Sequence, residues 1–263
     1  MNFGLKGKVA VVAASSKGLG KAVAFEFAKE GMNIVICART EETLKRTAEE
    51  IRNATGANVE YVVADVKNAD DIKKVVKTAI DKFGTVHVLV NNAGGPPAGY
   101  FMDFKDDDWY DAFTLNFMSA VRFIREVLPY MQKQRWGRII NITSISVKQP
   151  IDNLILSNSI RLAIIGMAKT LSNQVGEYNI TINNVCPGIT LTDRVRNLAE
   201  ITAKQKKISV DNVFEQWAKE IPMRRIGQPS DLAALITFLA SERASFITGT
   251  TIQVDGGQIK FVL

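Results

Sequence analysis

An α/β fold built on a parallel sheet is the class the sequence predicts, and three observations carry it. Short apolar runs alternate with helical patterns along most of the chain, which is how parallel strands joined by crossover helices read. The apolar runs are near-continuous, as in KVAVVAA (8–14) and NIVICA (33–38), and this fits a sheet buried on both faces. The 263 residues are 46% hydrophobic, enough for one sizeable core. No internal repeat or low-complexity linker divides them, so a single domain over 1–263 is expected.

The elements follow in order. After the strand at 8–14, GKAVAFEFAKEG (20–31) reads as a helix stopped by Gly31. The second strand, 33–38, leads to the charged amphipathic helix 42–56, which ends in glycine. NVEYVVAD (58–65) is the third strand, 69–84 a helix, and VHVLVNNAG (86–94) the fourth strand with its loop. A long helical stretch covers 106–135. GRIINITS (137–144), ITINNVCPG (180–188) and TIQVDGG (251–257) complete a set of seven strands, with a helix at 155–177. The irregular segment 189–228, helical in places and rich in Lys and Arg, is either a substrate lid or a surface insertion.

The totals exclude several classes. The net charge of +6 is dispersed, and no zinc-finger or RNP-like pattern occurs, so no nucleic-acid partner is expected. There is no apolar run of about 18 residues, hence no membrane span. The N-terminus turns to Lys and Gly too early for a signal peptide. Cys37 and Cys186 lie in apolar runs and read as buried free thiols, which fits a reducing, cytoplasmic setting. No metal is expected, because no His/Cys cluster has ligand spacing. The single histidine, His87, opens the fourth strand and reads as structural.

The turn after the first strand is Ala13-Ala14-Ser15-Ser16-Lys17-Gly18-Leu19-Gly20. Small residues there let the backbone approach a pyrophosphate at a helix N-terminus. Arg39 follows the second strand, near where an NAD site places an acid for the ribose 2′-hydroxyl, and no Asp or Glu precedes Glu41. A guanidinium suits a 2′-phosphate, and Lys17 adds a second cation. NADP is therefore expected in preference to NAD.

With these residues in place, the whole chain resembles the short-chain dehydrogenase/reductase family, classical type. The likeness is an ordered series: the glycine turn, Asp65-Val66, Asn91-Asn92-Ala93-Gly94, Asn116 in FTLNFMSA, Ser144, Pro187-Gly188 with Thr192, and the ending MRRIGQPSDLAALITFLASERASFITGTTIQVDGG. The resemblance implies a Rossmann-type doubly wound, seven-stranded parallel sheet flanked by helices on both faces. It implies cofactor contacts at Ala14, Ser15, Ser16, Lys17, Gly18, Leu19, Gly20, Arg39, Asp65, Val66, Asn92, Ala93, Gly94, Pro187, Gly188, Ile189 and Thr192. It also implies hydride transfer between nicotinamide and a carbonyl or alcohol, and a homo-oligomer, tetramer or dimer.

The family places a Tyr about thirteen residues after the Ser and a Lys four further on. Counting from Ser144 gives Ser157 and Arg161, and no YxxxK occurs elsewhere. The candidate catalytic set is thus Ser144, Ser157, Arg161 and Asn116, with Arg161 also able to hold the nicotinamide ribose. Lys148, Asp152 and Tyr100 are alternative proton donors. Ala14 replaces the usual Gly, and its methyl crowds the turn. Two readings stay open: an NADP-dependent oxidoreductase with an atypical site, and a non-catalytic nucleotide-binding regulator or scaffold subunit.

Overall fold

The computed structural model describes residues 2–262. Its strands are β1 (Val9–Val12), β2 (Asn33–Ala38), β3 (Val59–Val63), β4 (Val88–Asn91), β5 (Gly137–Ile142), β6 (Ile180–Pro187) and β7 (Thr251–Val254). They form one sheet in the order β3-β2-β1-β4-β5-β6-β7. Every neighbouring pair is parallel. The strand order reverses direction between β1 and β4. Ligands bind at that switch point in open α/β sheets, outside the carboxyl ends of the strands.

Helices α1 (Gly18–Lys29) and α2 (Glu41–Thr55) cover one face, with Phe27, Leu44 and Ile51 in its core. Helix α3 (Ala69–Phe83) covers the other. Helix α4 (Asp106–Ala112) runs through a π turn (Phe113–Met118) into α5 (Ser119–Lys133), which joins α3 on that second face together with α6 (Ile155–Val175). Helices α7 (Asp193–Lys206) and α8 (Val210–Glu220) make up the irregular segment and pack on each other around Ala199, Ala203 and Val213. Helix α9 (Pro229–Ala240) returns to the first face and packs on α1.

The expected architecture is observed, with corrections at its edges. The strands are shorter than their apolar runs, because residues such as 13–14, 64–65, 92–94 and 143–144 leave the ladder to form the rim of the switch-point crevice. The first helix begins at Gly18, not residue 20. The stretch 106–135 is two α-helices joined by the π turn. The helix from 155 ends at Val175 and passes into a 3-10 turn over Gly176–Tyr178. Helix α9 is an element the periodicity does not pick out. Its LAALITFLA is apolar on nearly every side, so no stripe marks it, although Pro229 at the start signals a helix entrance. Both cysteines are free and buried, and burial pushes the Cys37 thiol up to about 12. No helix among the described residues is long and apolar enough to cross a membrane.

A row of buried amides crosses the second face. Asn91 Nδ2 donates to Asn141 Oδ1 (2.8 Å), and Asn141 Nδ2 donates to Asn184 Oδ1 (2.9 Å). Asn184 Nδ2 donates in turn to Thr251 Oγ1 (3.2 Å). The four residues are partners in register across β4, β5, β6 and β7. Buried polar groups are costly unless paired, so the row stabilises one strand alignment against its alternatives. Asn141→Ala is expected to strand the Asn91 amide and the Asn184 carbonyl together. That should cost about 2–4 kcal/mol, read as a lower urea midpoint at unchanged slope; a loss under about 0.5 kcal/mol would show that the row is not structural.

Candidate active site

A cleft of about 620 Å³ opens at the carboxyl ends of the central strands. Its first wall is the glycine turn, through Ala14, Ser16, Lys17, Gly18 and Leu19. Ala14 lies at φ 47, in the left-handed region that costs an L-residue about 1–2 kcal/mol. Neighbouring bonds hold it there. The Ala13 N–H donates to the Val90 carbonyl (3.1 Å), and Asn92 Nδ2 donates to the carbonyls of Ala13 (3.2 Å) and Ala14 (3.0 Å). Gly20 packs beneath this loop, where a Cβ would stand 2.7 Å from the Ala14 oxygen and 2.8 Å from Asn92 Nδ2. Ser15 is turned inward, donating to the Val12 carbonyl (2.7 Å) and accepting from the Cys37 N–H (3.3 Å). Ser15 and Gly20 therefore shape the turn without bordering the cleft.

Helix α1 starts at this turn with no side-chain cap and no acid in its first turn. Helix α3, by contrast, has its first amides taken by the Asn68 side chain. The first N–H groups of α1 thus remain available, and with the helix dipole they form an anion site.

The second wall holds Arg39, Thr40 and Thr43 after β2, Asp65, Val66 and Lys67 after β3, and Asp111 of α4. Asp65 Oδ1 accepts from the Lys67 N–H (2.9 Å). Lys67 Nζ pairs with Asp111 (2.8 Å), and that bond holds the ammonium above its usual range. Arg39 is exposed and has no carboxylate partner among the described residues. Lys67 escaped the sequence reading, although it follows Asp65-Val66 directly.

The third wall holds Asn92, Ala93, Gly94, Gly95, Thr143, Arg161, Thr192, Asp193 and Arg194. Arg161 is only 6% exposed. Its Nη1 donates to the carbonyls of Ile142 (3.2 Å) and Thr143 (3.1 Å), and its Nε has no partner. Burial first, and then the nearby Arg194 charge, hold its guanidinium down to about 10, so it stays charged at neutral pH. Asn116 sits in the π turn, a helix irregularity frequent at functional sites. Its Nδ2 donates to the Gly94 carbonyl (2.9 Å), which steadies the loop from behind.

Three of the four candidate catalytic residues stand back from the cleft: Asn116, Ser144 and Ser157 do not line it. Ser144 Oγ accepts from the Ser146 N–H (3.1 Å), and the buried Ser157 hydroxyl meets Ser146 Oγ at 3.4 Å. Ser146, which the sequence did not single out, thus links the two, through its backbone N–H to Ser144 and through its hydroxyl to Ser157. Pro187, Gly188 and Ile189 also stand back. The Gly188 N–H donates to the Val254 carbonyl (3.0 Å), and a Cβ there would stand 2.8 Å from Asp255 Cα. This trio is tied to the C-terminal turn and delivers Thr192, whose Oγ1 caps α7 through the Val195 N–H (3.4 Å).

The first turn of α7 reaches both sides of the cleft. Asp193 pairs with Lys17 (3.7 Å), and Arg194 Nη2 donates to the Pro96 carbonyl (3.1 Å). Neither was singled out from sequence, although Thr192-Asp193 is a helix-start signal that places both in a first turn. Lys148, Asp152 and Tyr100 do not border the cleft, and Tyr100 is 62% exposed. His87 lies at the opposite end of the sheet, where its Nδ1 accepts from the Val9 N–H (3.0 Å). Burial, then the Lys8 charge, lowers it to about 4, so it is neutral and structural. No group of three metal-ligating side chains occurs among the described residues.

Comparison with known proteins agrees with this geometry. A family model described as "Enoyl-(Acyl carrier protein) reductase" matches residues 13–258. The 3-oxoacyl-acyl-carrier-protein reductase FabG of Staphylococcus epidermidis is 33% identical over 251 residues, covering 95% of this chain and 98% of its own. The NADPH and L-sorbose complex of L-sorbose reductase from Gluconobacter frateurii superposes with a TM-score of 0.96 at 35% identity, covering 100% of both chains. A 7α-hydroxysteroid dehydrogenase complexed with NADH superposes with a TM-score of 0.89 at 30% identity, covering 100% of this chain and 98% of its own. The cleft at the switch point, the glycine turn and these matches along nearly the full length lead to one conclusion: the chain belongs to the short-chain dehydrogenase/reductase family.

Proposed function

We propose that the protein is an NADP-dependent oxidoreductase that transfers a hydride between nicotinamide and a carbonyl or alcohol substrate, with an atypical active site. The observation that carries this reading is the pairing, along one cleft, of an uncapped α1 N-terminus with an Arg39 that has no carboxylate partner among the described residues. The cofactor fits that wall: α1 takes the diphosphate beside a turn that Gly20 lets pack closely on the helix, where a Cβ would meet the Ala14 oxygen. Arg39, helped by Lys17 and Lys67, takes the 2′-phosphate. Asp65 and Val66 face the adenine, and Asn92, Ala93 and Gly94 the nicotinamide ribose. The NADPH in the sorbose reductase complex supports the choice of cofactor.

When bound, NADPH supplies a hydride to the carbonyl carbon, and the carbonyl oxygen takes its proton from water. Arg161 holds the ribose hydroxyls and sets a fixed positive charge beside the substrate oxygen, where developing negative charge is stabilised. It does not deprotonate at neutral pH and so relays no proton. Ser144 hydrogen-bonds the substrate oxygen through its hydroxyl hydrogen, which the bond accepted from the Ser146 N–H leaves free, once its side chain turns to the cleft. Ser157 stands in place of the family's Tyr, and an aliphatic hydroxyl is a far weaker acid than a phenol of pKa about 10. Loss of a positioned general acid removes about 10²–10⁴ in rate, while orientation of the reactants is retained. Asn116 acts from behind, through the Gly94 carbonyl.

The segment 189–228 acts as a lid, with α7 touching both cleft walls. We also propose a cytoplasmic homo-oligomer, tetramer or dimer. Exposed apolar side chains such as Tyr110, Phe113 and Leu162 support helix packing between copies. A second reading, a nucleotide-binding regulator or scaffold subunit, is favoured by one observation: the Ser157 hydroxyl is buried against Ser146, away from the cleft.

Two measurements test this. Titration followed by nicotinamide fluorescence should show NADPH binding more tightly than NADH. Arg39→Ala should weaken NADPH about ten- to hundredfold and leave NADH within about threefold; an equal loss for both would remove the 2′-phosphate assignment. In a carbonyl and alcohol panel, Ser157→Tyr/Arg161→Lys should raise a measurable wild-type kcat by about 10²–10⁴. A wild type with no turnover beside an active double variant would instead establish the regulator reading.

A further inference from the structure

The cations of the cleft are not matched alike. Lys17 is paired with Asp193 and Lys67 with Asp111. At the nicotinamide end, Arg161 and Arg194 have no carboxylate partner among the described residues. Arg161 is buried with its Nε unpaired, and its bonded donors reach only neutral carbonyls. Arg194 also bonds a neutral group, the Pro96 carbonyl. Its guanidinium lies over Gly95, where a Cβ would run into it, so the absence of a side chain at residue 95 seats the arginine in the cleft wall. The two arginines border the same cleft, and the Arg194 charge disfavours the protonated form of Arg161. Like charges held together without a counter-ion are destabilising, and one anion between them removes the penalty for both.

Resting on the reductase reading above, we infer that the substrate is an oxo or hydroxy acid whose carboxylate is bound by Arg194, with Arg161 facing the neighbouring oxygen that is reduced or oxidised. A planar guanidinium takes a carboxylate through two parallel hydrogen bonds, which fixes orientation as well as charge. An adjacent carbonyl is then presented to the wall formed by Arg161 and Thr143. The same arrangement suits a site whose Ser157 cannot act as a strong acid. Fixed positive charge stabilises the oxyanion directly and lessens the need for a proton donor within the site. The anion chemistry has one competing source, the diphosphate of the cofactor, which would also engage an arginine at this depth.

Calorimetric titration with oxalate, an unreactive dicarboxylate, tests the inference on the intact protein saturated with NADP⁺. Oxalate is expected to bind, the neutral oxamide to bind at least about tenfold more weakly, and Arg194→Leu to weaken oxalate about ten- to hundredfold. NADPH affinity in that variant should stay within about threefold, and Arg194→Lys should recover part of the oxalate binding. In the substrate panel, 2-oxo acids should exceed neutral ketones in kcat/KM. Absence of oxalate binding to the saturated wild type overturns the inference. So does an Arg194→Leu variant that loses NADPH and keeps oxalate, since that assigns Arg194 to the diphosphate. If wild-type NADPH binding itself fails, the reductase reading falls. Oxalate is then titrated into the cofactor-free protein: binding that Arg194→Leu abolishes retains the acid site, and no binding removes it.

Discussion

The amide row through Asn91, Asn141 and Asn184 is the constraint on which the site geometry rests. Parallel strands have no hairpin to fix their alignment, and a slip of one residue would turn every side chain to the opposite face. The row forms only when these three residues stand level, and their bonds of 2.8 and 2.9 Å lie on the buried second face. Once they are level, the ends of the strands are set relative to one another: Asn92, Thr143 and Gly188 leave the sheet one, two and four residues beyond the row. The rim of the cleft inherits its shape from an interaction inside the core.

Electrostatics divides the rim into held and unheld charge. The Lys17–Asp193 and Lys67–Asp111 pairs are largely exposed, and pairs of that kind contribute at most about 1 kcal/mol. The ion pair between the glycine turn and α7 is therefore a weak link. Arg161 is different. It is fixed by two carbonyls and screened from water, and it stays charged at neutral pH.

Most of the architecture was legible in the sequence, because continuous apolar runs and glycine-terminated amphipathic helices report burial directly. The strand ends were not, since Ala13 or Thr143 is as apolar or small as the strand it leaves. Helix α9 was hidden for the opposite reason, having no polar face to give it a period. At the site, residues in fixed motifs such as Lys17, Asp65, Asn92 and Thr192 do border the cleft. Ser15, Gly20 and Gly188 belong to the same motifs but serve the backbone, which spacing alone cannot distinguish. Lys67, Asp193 and Arg194 follow directly on the motif residues Asp65-Val66 and Thr192, whereas Ser146 meets Ser157 through a tertiary approach that no local pattern announces.

The π turn at Phe113–Met118 has a consequence for how the long helical arm is read. A π turn takes one residue more than an α turn, and each residue of a helix advances the angle by about 100°. The arm before it has Asp111 reaching Lys67 at the cleft, and the arm after it has Phe123 and Val127 in the core. An uninterrupted helix would bind these two sets to a common angular phase. The inserted residue decouples them, so that a cleft-lining arm and a core-packing arm share one axis while each keeps its own orientation.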